Sequence, residues 1–332
     1  MRISHFILML CYGVFAACSS ATDEPKFPLE ETATQEFLPL QGITYPIWLE
    51  VKHPFLIVQN MTRTDSIFHV YDLTNYELKS AFGQTGQGPG EFGFIQLYHT
   101  PFPDVFIGDV NTNMIYQFGI NEEGQSTHKH TIEAKYKGHS IANAAFINDS
   151  LYVLADAIYM PGSNLDLLSL QNEERIKTKL YRNPDIMDPE KDPDMGYVYA
   201  SENRIVLSYG YKKQIDFMDT DLKLIKSVKF KYDHPADINN ENRKDVKKSY
   251  DFGYLGKRYL YALFLGRSLN EHKDQSLLEV FDLDGNPVAR YHLDGVTPDN
   301  FVVDENTFTL YGVIYNREPE DCLPVYKLKG LS

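Results

Sequence analysis

Apolar residues in this chain fall into short runs separated by polar, turn-rich stretches. The strongest runs are Phe55–Gln59, Val105–Gly108, Leu151–Ala155, Ile205–Tyr209, Leu260–Leu265 and Phe308–Ile314. Runs this short, rich in β-branched and aromatic side chains, predict buried strands and not helices. Their starts recur about every 45–55 residues, the length of a four-stranded propeller blade. After each run comes a loop, a strand of alternating polarity, a tight polar turn and a further strand. Ile67–Asp72, Asn75-Tyr76 and Leu78–Phe82 show the pattern, as do Leu277–Asp282, Gly285-Asn286 and Val288–His292. Such turns are hairpin signals, and so is Asn121–Gly124. Six such units predict an all-β fold, a six-bladed β-propeller of four-stranded antiparallel blades. A sandwich would have fewer repeated units, and a β-helix shorter ones. The sixth unit ends with Pro324–Leu328 and lacks a strand, whereas Glu36–Leu40 is an orphan near the start. Pairing the two closes the ring and leaves no long open edge. Only Asn242–Tyr250 reads as a short helix.

Between the first two units lies a glycine-dense crossing, Gly83-Gln84-Thr85-Gly86-Gln87-Gly88-Pro89-Gly90-Glu91-Phe92. Repeated glycines permit positive φ, and Pro89 removes a donor, so neither helix nor strand runs through it. A phosphate cradle needs a helix N-terminus, usually with a lysine, after the glycines. Here Glu91-Phe92 leads into a strand, and the segment reads as a blade-to-blade connection.

The N-terminus changes the compartment. Residues 1–17 carry one charge, Arg2, then an apolar run too short to span a bilayer, and read as a signal peptide. Ala16-Ala17-Cys18 resembles the bacterial lipobox, with Phe15 departing from the usual Leu or Val. The resemblance implies a lipid attached at Cys18, a flexible tether over 18–33 and a propeller domain over 34–332. The implied location is the bacterial cell envelope, on the outer membrane, facing the periplasm or the cell surface. The formal charge is −14, or −15 once Arg2 is removed, which argues against nucleic acid as a partner. Cys322 is the one cysteine left beyond Cys18 in the mature chain, so no disulfide framework is expected.

Gly86–Phe92, followed by Phe106-Ile107-Gly108-Asp109 and Met114–Phe118, is similar to an NHL-type repeat. Thr112 and Met114 depart from the usual Asn and Arg. With the lipobox and Tyr259–Arg267, the whole mature chain resembles the TolB-like six-bladed propeller lipoproteins of Bacteroidetes. That resemblance implies a fold and a compartment, and no particular chemistry.

The sequence contains no H-E-x-x-H, G-x-S-x-G, C-x-x-C or Walker lysine motif. His128-x-His130 places two imidazoles on one face of an outer strand, read as a solvated face. Glu50, Asn60 and Asp109 are the residue types that six-bladed lactonases use to hold Ca²⁺, and they are weak metal candidates. Strand parity puts the loops after the second strands, and the inter-blade loops, on one face, the top. Arg63, Lys212, Lys213, Arg267 and Arg317 follow second strands there, beside Tyr211, Tyr315 and Asn316. They form a candidate site for an anionic or carbohydrate-like ligand. The remaining turns form an acidic bottom face: Glu122-Glu123, Glu173-Glu174, Asp219 and Asp221, Asp282 and Asp284, and Asp304-Glu305. The long basic connection Asn239–Arg258 reads as a solvated loop. Together these features point to an anchored ligand-binding or protein-interaction module whose partner is an envelope protein, a small molecule or a glycan. No catalytic residue and no cofactor is assigned. The alternative is a metal-dependent hydrolase or lyase with a channel site.

Overall fold

The computed structural model describes residues 26–61, 66–86, 91–134, 141, 144–155, 164–171, 174–188, 191–232, 237–268, 270–271, 274–315, 319 and 321–332. Strand β1 (Leu29–Pro39) comes first. Blade 1 is β2 (Pro46–Lys52), β3 (Phe55–Asn60), β4 (Phe68–Asp72) and β5 (Leu78–Phe82), and β6 (Gln84–Thr85) and β7 (Glu91–Phe92) form the crossing. Blade 2 is β8 (Ile95–Tyr98), β9 (Val105–Asp109), β10 (Met114–Ile120) and β11 (Ser126–Glu133). Blade 3 is β12 (Ala144–Phe146), β13 (Leu151–Ala155), β14 (Asn164–Ser169) and β15 (Arg175–Leu180). Blade 4 is β16 (Gly196–Ser201), β17 (Arg204–Tyr209), β18 (Gln214–Met218) and β19 (Leu224–Lys229). Blade 5 is β20 (Lys248–Leu255), β21 (Tyr259–Arg267), β22 (Asp274–Asp282) and β23 (Pro287–Val296). Blade 6 is β24 (Asn300–Asp304), β25 (Thr309–Val313) and β26 (Cys322–Lys327). The six apolar runs are the second strands of the six blades, buried on both faces between neighbours.

Blades 1 to 4 are separate four-stranded sheets, whereas β1 joins blades 5 and 6 into one eight-stranded sheet. Leu29–Thr34 pairs parallel with β23, and Gln35–Pro39 pairs antiparallel with β26. The expected orphan strand therefore closes the last blade, and it starts earlier than expected. Residues 26–33, expected to be tether, are ordered: Phe27 is buried, and its ring packs 5.5 Å from that of Phe281.

Gln35 sits where β1 changes partner. Its Oε1 accepts from the Val296 amide of blade 5 (2.6 Å) and from the Tyr326 hydroxyl of blade 6 (3.1 Å). Gly295 makes room: its φ is +122°, and a Cβ there would lie 2.2 Å from Gln35 Oε1.

In blades 1 to 5 the outermost hairpin is bulged by one residue, at Lys79, Lys129, Ile176, Ile225 and Val288. A bulge adds local twist, and repeating it gives successive blades the same twist. It also corrects one expectation. Across the bulge at Lys129, His128 pairs with Phe118 and His130 with Gln117, so the imidazoles lie on opposite faces. The exposed Ile176 and Ile225 are both bulged residues. The expected helix at Asn242–Tyr250 is instead a set of turns running into β20. One helical turn closes from the Val246 amide to the Asn242 carbonyl, 3.0 Å, and the chain then extends.

The seam at Gln35 yields a prediction. Replacing Gln35 by Leu keeps the bulk but leaves the Val296 amide unpaired, and Gly295→Ala forces strain on the same point. Each is expected to destabilise the fold by about 1–3 kcal/mol. Urea denaturation followed by circular dichroism measures this, with Phe37→Thr on the exposed side of β1 as the near-neutral control.

Candidate functional site

Every first strand runs from the top of the ring to the bottom, so the turn that follows it lies at the lower mouth of the axial channel. Turns of this kind from blades 1, 2, 4, 5 and 6 converge on a cavity of about 520 Å³, lined among others by His53, Phe102, Asn203, Lys257 and Asn306. This lies on the face opposite the one on which the sequence placed its candidate ligand residues.

An ionic cluster forms the floor. Glu50, fully buried near the end of β2, lies 2.7 Å from Lys52 Nζ and 2.9 Å from His99 Nδ1. It also accepts from the Thr100 amide at 3.2 Å. Lys52 donates to the Thr100 carbonyl and hydroxyl (2.5 and 2.7 Å) and to the Phe102 carbonyl (2.8 Å), so its three hydrogens face four acceptors. His99 Nε2 donates to the Leu255 carbonyl at 2.9 Å, and its ring lies 4.3 Å from that of Tyr254. Blades 2 and 5 face each other across the six-membered ring, so His99 is a strut across the axis.

Burial by itself would raise the Glu50 pKa. The adjacent His99 and Lys52 outweigh it and hold the carboxyl below its ordinary 4.5. Burial, with help from the Glu50, Glu305 and Asp304 carboxylates, holds the Tyr254 phenol well above its ordinary 10.0, and it stays neutral. Both ring nitrogens of His99 are engaged and Lys52 is saturated, so the cluster offers structure and shape and no available general base.

Aromatic rings of the inner strands pack together above the floor. Phe252 lies 6.4 Å from Trp48, 6.5 Å from Tyr199 and 5.4 Å from Phe301. The rings come from four blades and pack around the axis over the floor.

Among the described residues, those expected at the top face are engaged within the fold. Lys213 is turned inward, 4 % exposed, with Nζ 3.0 Å from Glu279 Oε1 and 4.0 Å from the centroid of the Phe264 ring. Lys212 pairs with Asp194 and lies over the Tyr209 ring. Arg267 reaches the Thr297 hydroxyl at 3.4 Å. Tyr211 is buried with Met195, Ile238 and Val246. Tyr315 donates to the Ile47 carbonyl at 2.9 Å, joining blade 6 to blade 1, and burial pushes its phenol up to about 12. Arg63, Asn316 and Arg317 lie outside the described residues, as do Cys18 and residues 87–90 of the glycine crossing.

The weak metal candidates do not meet. Asn60 pairs with Pro46 at the upper end of β2, four residues from Glu50, or about 13 Å along a strand. Its Oδ1 accepts from the Tyr45 amide at 2.8 Å. The Asp109 carboxylate accepts from the Gly93 and Asn111 amides, at 3.0 Å each. Among the described residues no group of three or more His, Cys, Asp and Glu is placed to hold a metal. The acidic bottom turns are mostly self-capping: Asp219 and Asp282 accept the backbone amides of their own hairpins.

Sequence reasoning missed the floor, although Glu50-x-Lys52 on one inner strand and His99-Thr100 after the next were visible as buried-side charges without an assigned partner.

The fold is thus a six-bladed β-propeller whose last two blades share the strand β1. The chain belongs to the TolB-like 6-blade propeller-like family, whose model matches residues 24–306. Its structure is similar to that of a DUF4221 family member from Bacteroides vulgatus, with a TM-score of 0.59 and 16% identity over 88% of this chain and 95% of that one. Raptor from Chaetomium thermophilum aligns at a TM-score of 0.48 and 11% identity, over 89% of this chain and 29% of that one. No curated protein matches.

The floor predicts a pH dependence. Because the folded-state pKa of Glu50 is depressed, its contribution is fully present above pH 4.5 and is lost as pH falls below it through the folded value. Glu50→Gln leaves the buried Lys52 ammonium without its counter-charge and is expected to cost about 3–5 kcal/mol at pH 7. The gap between wild type and variant, measured by denaturant midpoint, should narrow as the pH falls below 4.5. A gap that stays constant would exclude an ionised Glu50 as its source.

Proposed function

We propose that this protein is a lipid-anchored, extracytoplasmic binding module of the bacterial envelope, with the lower-mouth cavity as its ligand seat. One observation carries the reading: five blades direct their innermost turns at a single cavity of about 520 Å³. This is within the size range of small-molecule sites, about 300–1,000 Å³. The ionisable floor of that cavity is fully engaged in holding itself together, which suits recognition and not turnover. Glu50 ties blade 1 to blade 2, and Asn60 and Asp109 hold local backbone amides, so the metal-dependent hydrolase reading gains no support from them. The top-face site for an anionic ligand is not favoured either, since Lys212 and Lys213 are each paired with a carboxylate.

The anchor part of the proposal rests on the lipobox-like Ala16-Ala17-Cys18 and the polar stretch that follows. Its partners are then the membrane, through the lipid, and a small molecule, a glycan or an envelope protein. Cys18→Ser is expected to abolish incorporation of labelled palmitate and to release the chain from the membrane fraction. Retention without the label would sink the anchor. The binding part is tested by a thermal-shift screen of small molecules on the purified chain, because a ligand of the folded state raises the midpoint by mass action. A hit should be lost on Asn203→Trp, which places an indole at the cavity rim.

A further inference from the structure

We propose that the lower outer edge of blades 3 and 4 rests in the interface of the lipid bilayer, with Ile176, Leu224 and Ile225 as the inserted side chains. The inference rests on the reading of the chain as lipid-anchored and adds a second, direct contact with the membrane.

Among the described residues eight large apolar side chains are exposed, and four of them lie on β15 and β19: Ile176, Leu180, Leu224 and Ile225. Both strands begin at a bottom turn, so Ile176, Leu224 and Ile225 sit at their lower ends. Single exposed apolar residues are ordinary, whereas several on two neighbouring edges mark a contact surface. The bulges sharpen the contrast. In blades 1 and 2 the bulged residues are Lys79 and Lys129, and each is paired with carboxylate, Lys79 with Asp72 and Glu77, Lys129 with Asp104. Lysine is how an outer strand facing water guards its edge. In blades 3 and 4 the same position carries isoleucine, 54 % and 47 % exposed. One side of the ring is thus built for water and the other is not.

The anchor selects the occupant. Phe27 clusters with Val206, Phe217 and Val228 of blade 4 and with Phe281 of blade 5, so the chain from Cys18 joins the fold at the seam beside β19. A lipid on Cys18 therefore holds this edge, and not blades 1 and 2 across the ring, within reach of the bilayer. Tethering raises the effective concentration of the edge at the surface, so a few apolar side chains suffice. Strand β15 carries Arg175, Lys177 and Lys179, β19 carries Lys226 and Lys229, and neither has a carboxylate. Such side chains lay their stems along an apolar layer and keep the charge at headgroup level. Glu174 and Asp221 in the turns beneath offset these charges, so the contact is apolar insertion and not adsorption to anionic lipid. The edge lies off the axis, so contact there tilts the ring and leaves the lower mouth clear.

The test uses the lipidated full chain carrying Cys322→Ser, which removes the other thiol of the mature sequence, in vesicles of phosphatidylethanolamine and phosphatidylglycerol. An environment-sensitive NBD dye is attached to the new thiol of Ile176→Cys, Ile225→Cys or, at the equivalent bulge of blade 2, Lys129→Cys. Flotation of the vesicles reads the anchor, and the dye reads the edge. Emission at positions 176 and 225 is expected to rise about twofold or more on reconstitution and to be quenched by brominated lipid, with position 129 unchanged. Salt at about 0.5 M should not reverse it, and reversal would overturn insertion as the mode of contact. Melts matching the parent chain show that the variants are folded. If the chain floats and all three positions stay equally water-exposed, the edge proposal fails and the anchor stands. If the chain does not float, the anchor fails and the edge proposal falls with it. If positions 176 and 225 brighten with protein concentration and brominated lipid does not quench them, a second copy covers the edge and the bilayer is the wrong occupant.

Discussion

Closure of the ring through β1 is the constraint on which the other features depend. A propeller has a channel, and a mouth to that channel, only while its first and last blades are held together. Here one strand does this by pairing with two blades in turn, parallel along β23 and antiparallel along β26. Ordering a strand costs roughly 1–2 kcal/mol of backbone entropy per residue, so hydrogen bonds alone would not hold it. The apolar anchors are Phe27 and Ala33, both buried, with the Arg290 guanidinium 4.4 Å from the centroid of the Phe27 ring. The parallel half requires β1 to enter from the side at which β23 begins, which is the bottom. Direction of entry, closure and the position of the lower mouth are thus one geometric fact.

Two buried carboxylates then fix how blades sit against each other. Glu50 joins blade 1 to blade 2 through His99 and Thr100, and His99 extends the link to blade 5. Glu279 takes Lys213 from blade 4, together with Arg290 and Tyr250 of its own blade, and Arg290 continues to Glu30 on β1. Desolvation offsets much of the attraction in such clusters, so their net contribution to stability is small. Their geometric demand is high, because a shift of either blade leaves a buried charge unpaired. Apolar packing tolerates sliding between sheets, and these clusters do not.

The fold was legible in the chain because its signals are local. Each second strand is an uninterrupted apolar run, each outer hairpin carries its own turn residues, and Asp219 and Asp282 cap the turns they sit in. What failed were the features set by distant partners. Lys213 follows a strand end and reads as a loop-tip cation, and only the folded ring brings it to Glu279, a residue of the next blade. The length of β1 was underestimated because Glu30-Glu31-Thr32 looks like tether. Its edge is polar because one side faces solvent, and its partner β23 lies far along the chain. The bulge at Lys129 left no mark strong enough to show that His128 and His130 part company. The floor was missed for the same reason: Glu50, Lys52 and His99 are unremarkable singly, and they become a site only when inner turns from opposite sides of the ring converge. Reading charges by face was sound as parity, but parity does not show which charges pair inside the fold, as Lys212 and Lys213 do.

The direction of β1 bears on how a ligand would reach the cavity in an anchored protein. The chain enters the fold at the bottom, so a tether from Cys18 and the cavity mouth share one side. Seven residues separate Cys18 from Lys26, a reach of at most roughly 30 Å when extended. That exceeds the Debye length of about 8 Å at physiological salt, so the lower rim need not lie on the headgroups. Within that short range its carboxylates, Glu122 and Glu202 among them, are repelled by anionic lipid. Were Cys18 lipidated as proposed, an acidic rim on a short tether would hold the mouth off an anionic surface while keeping it close.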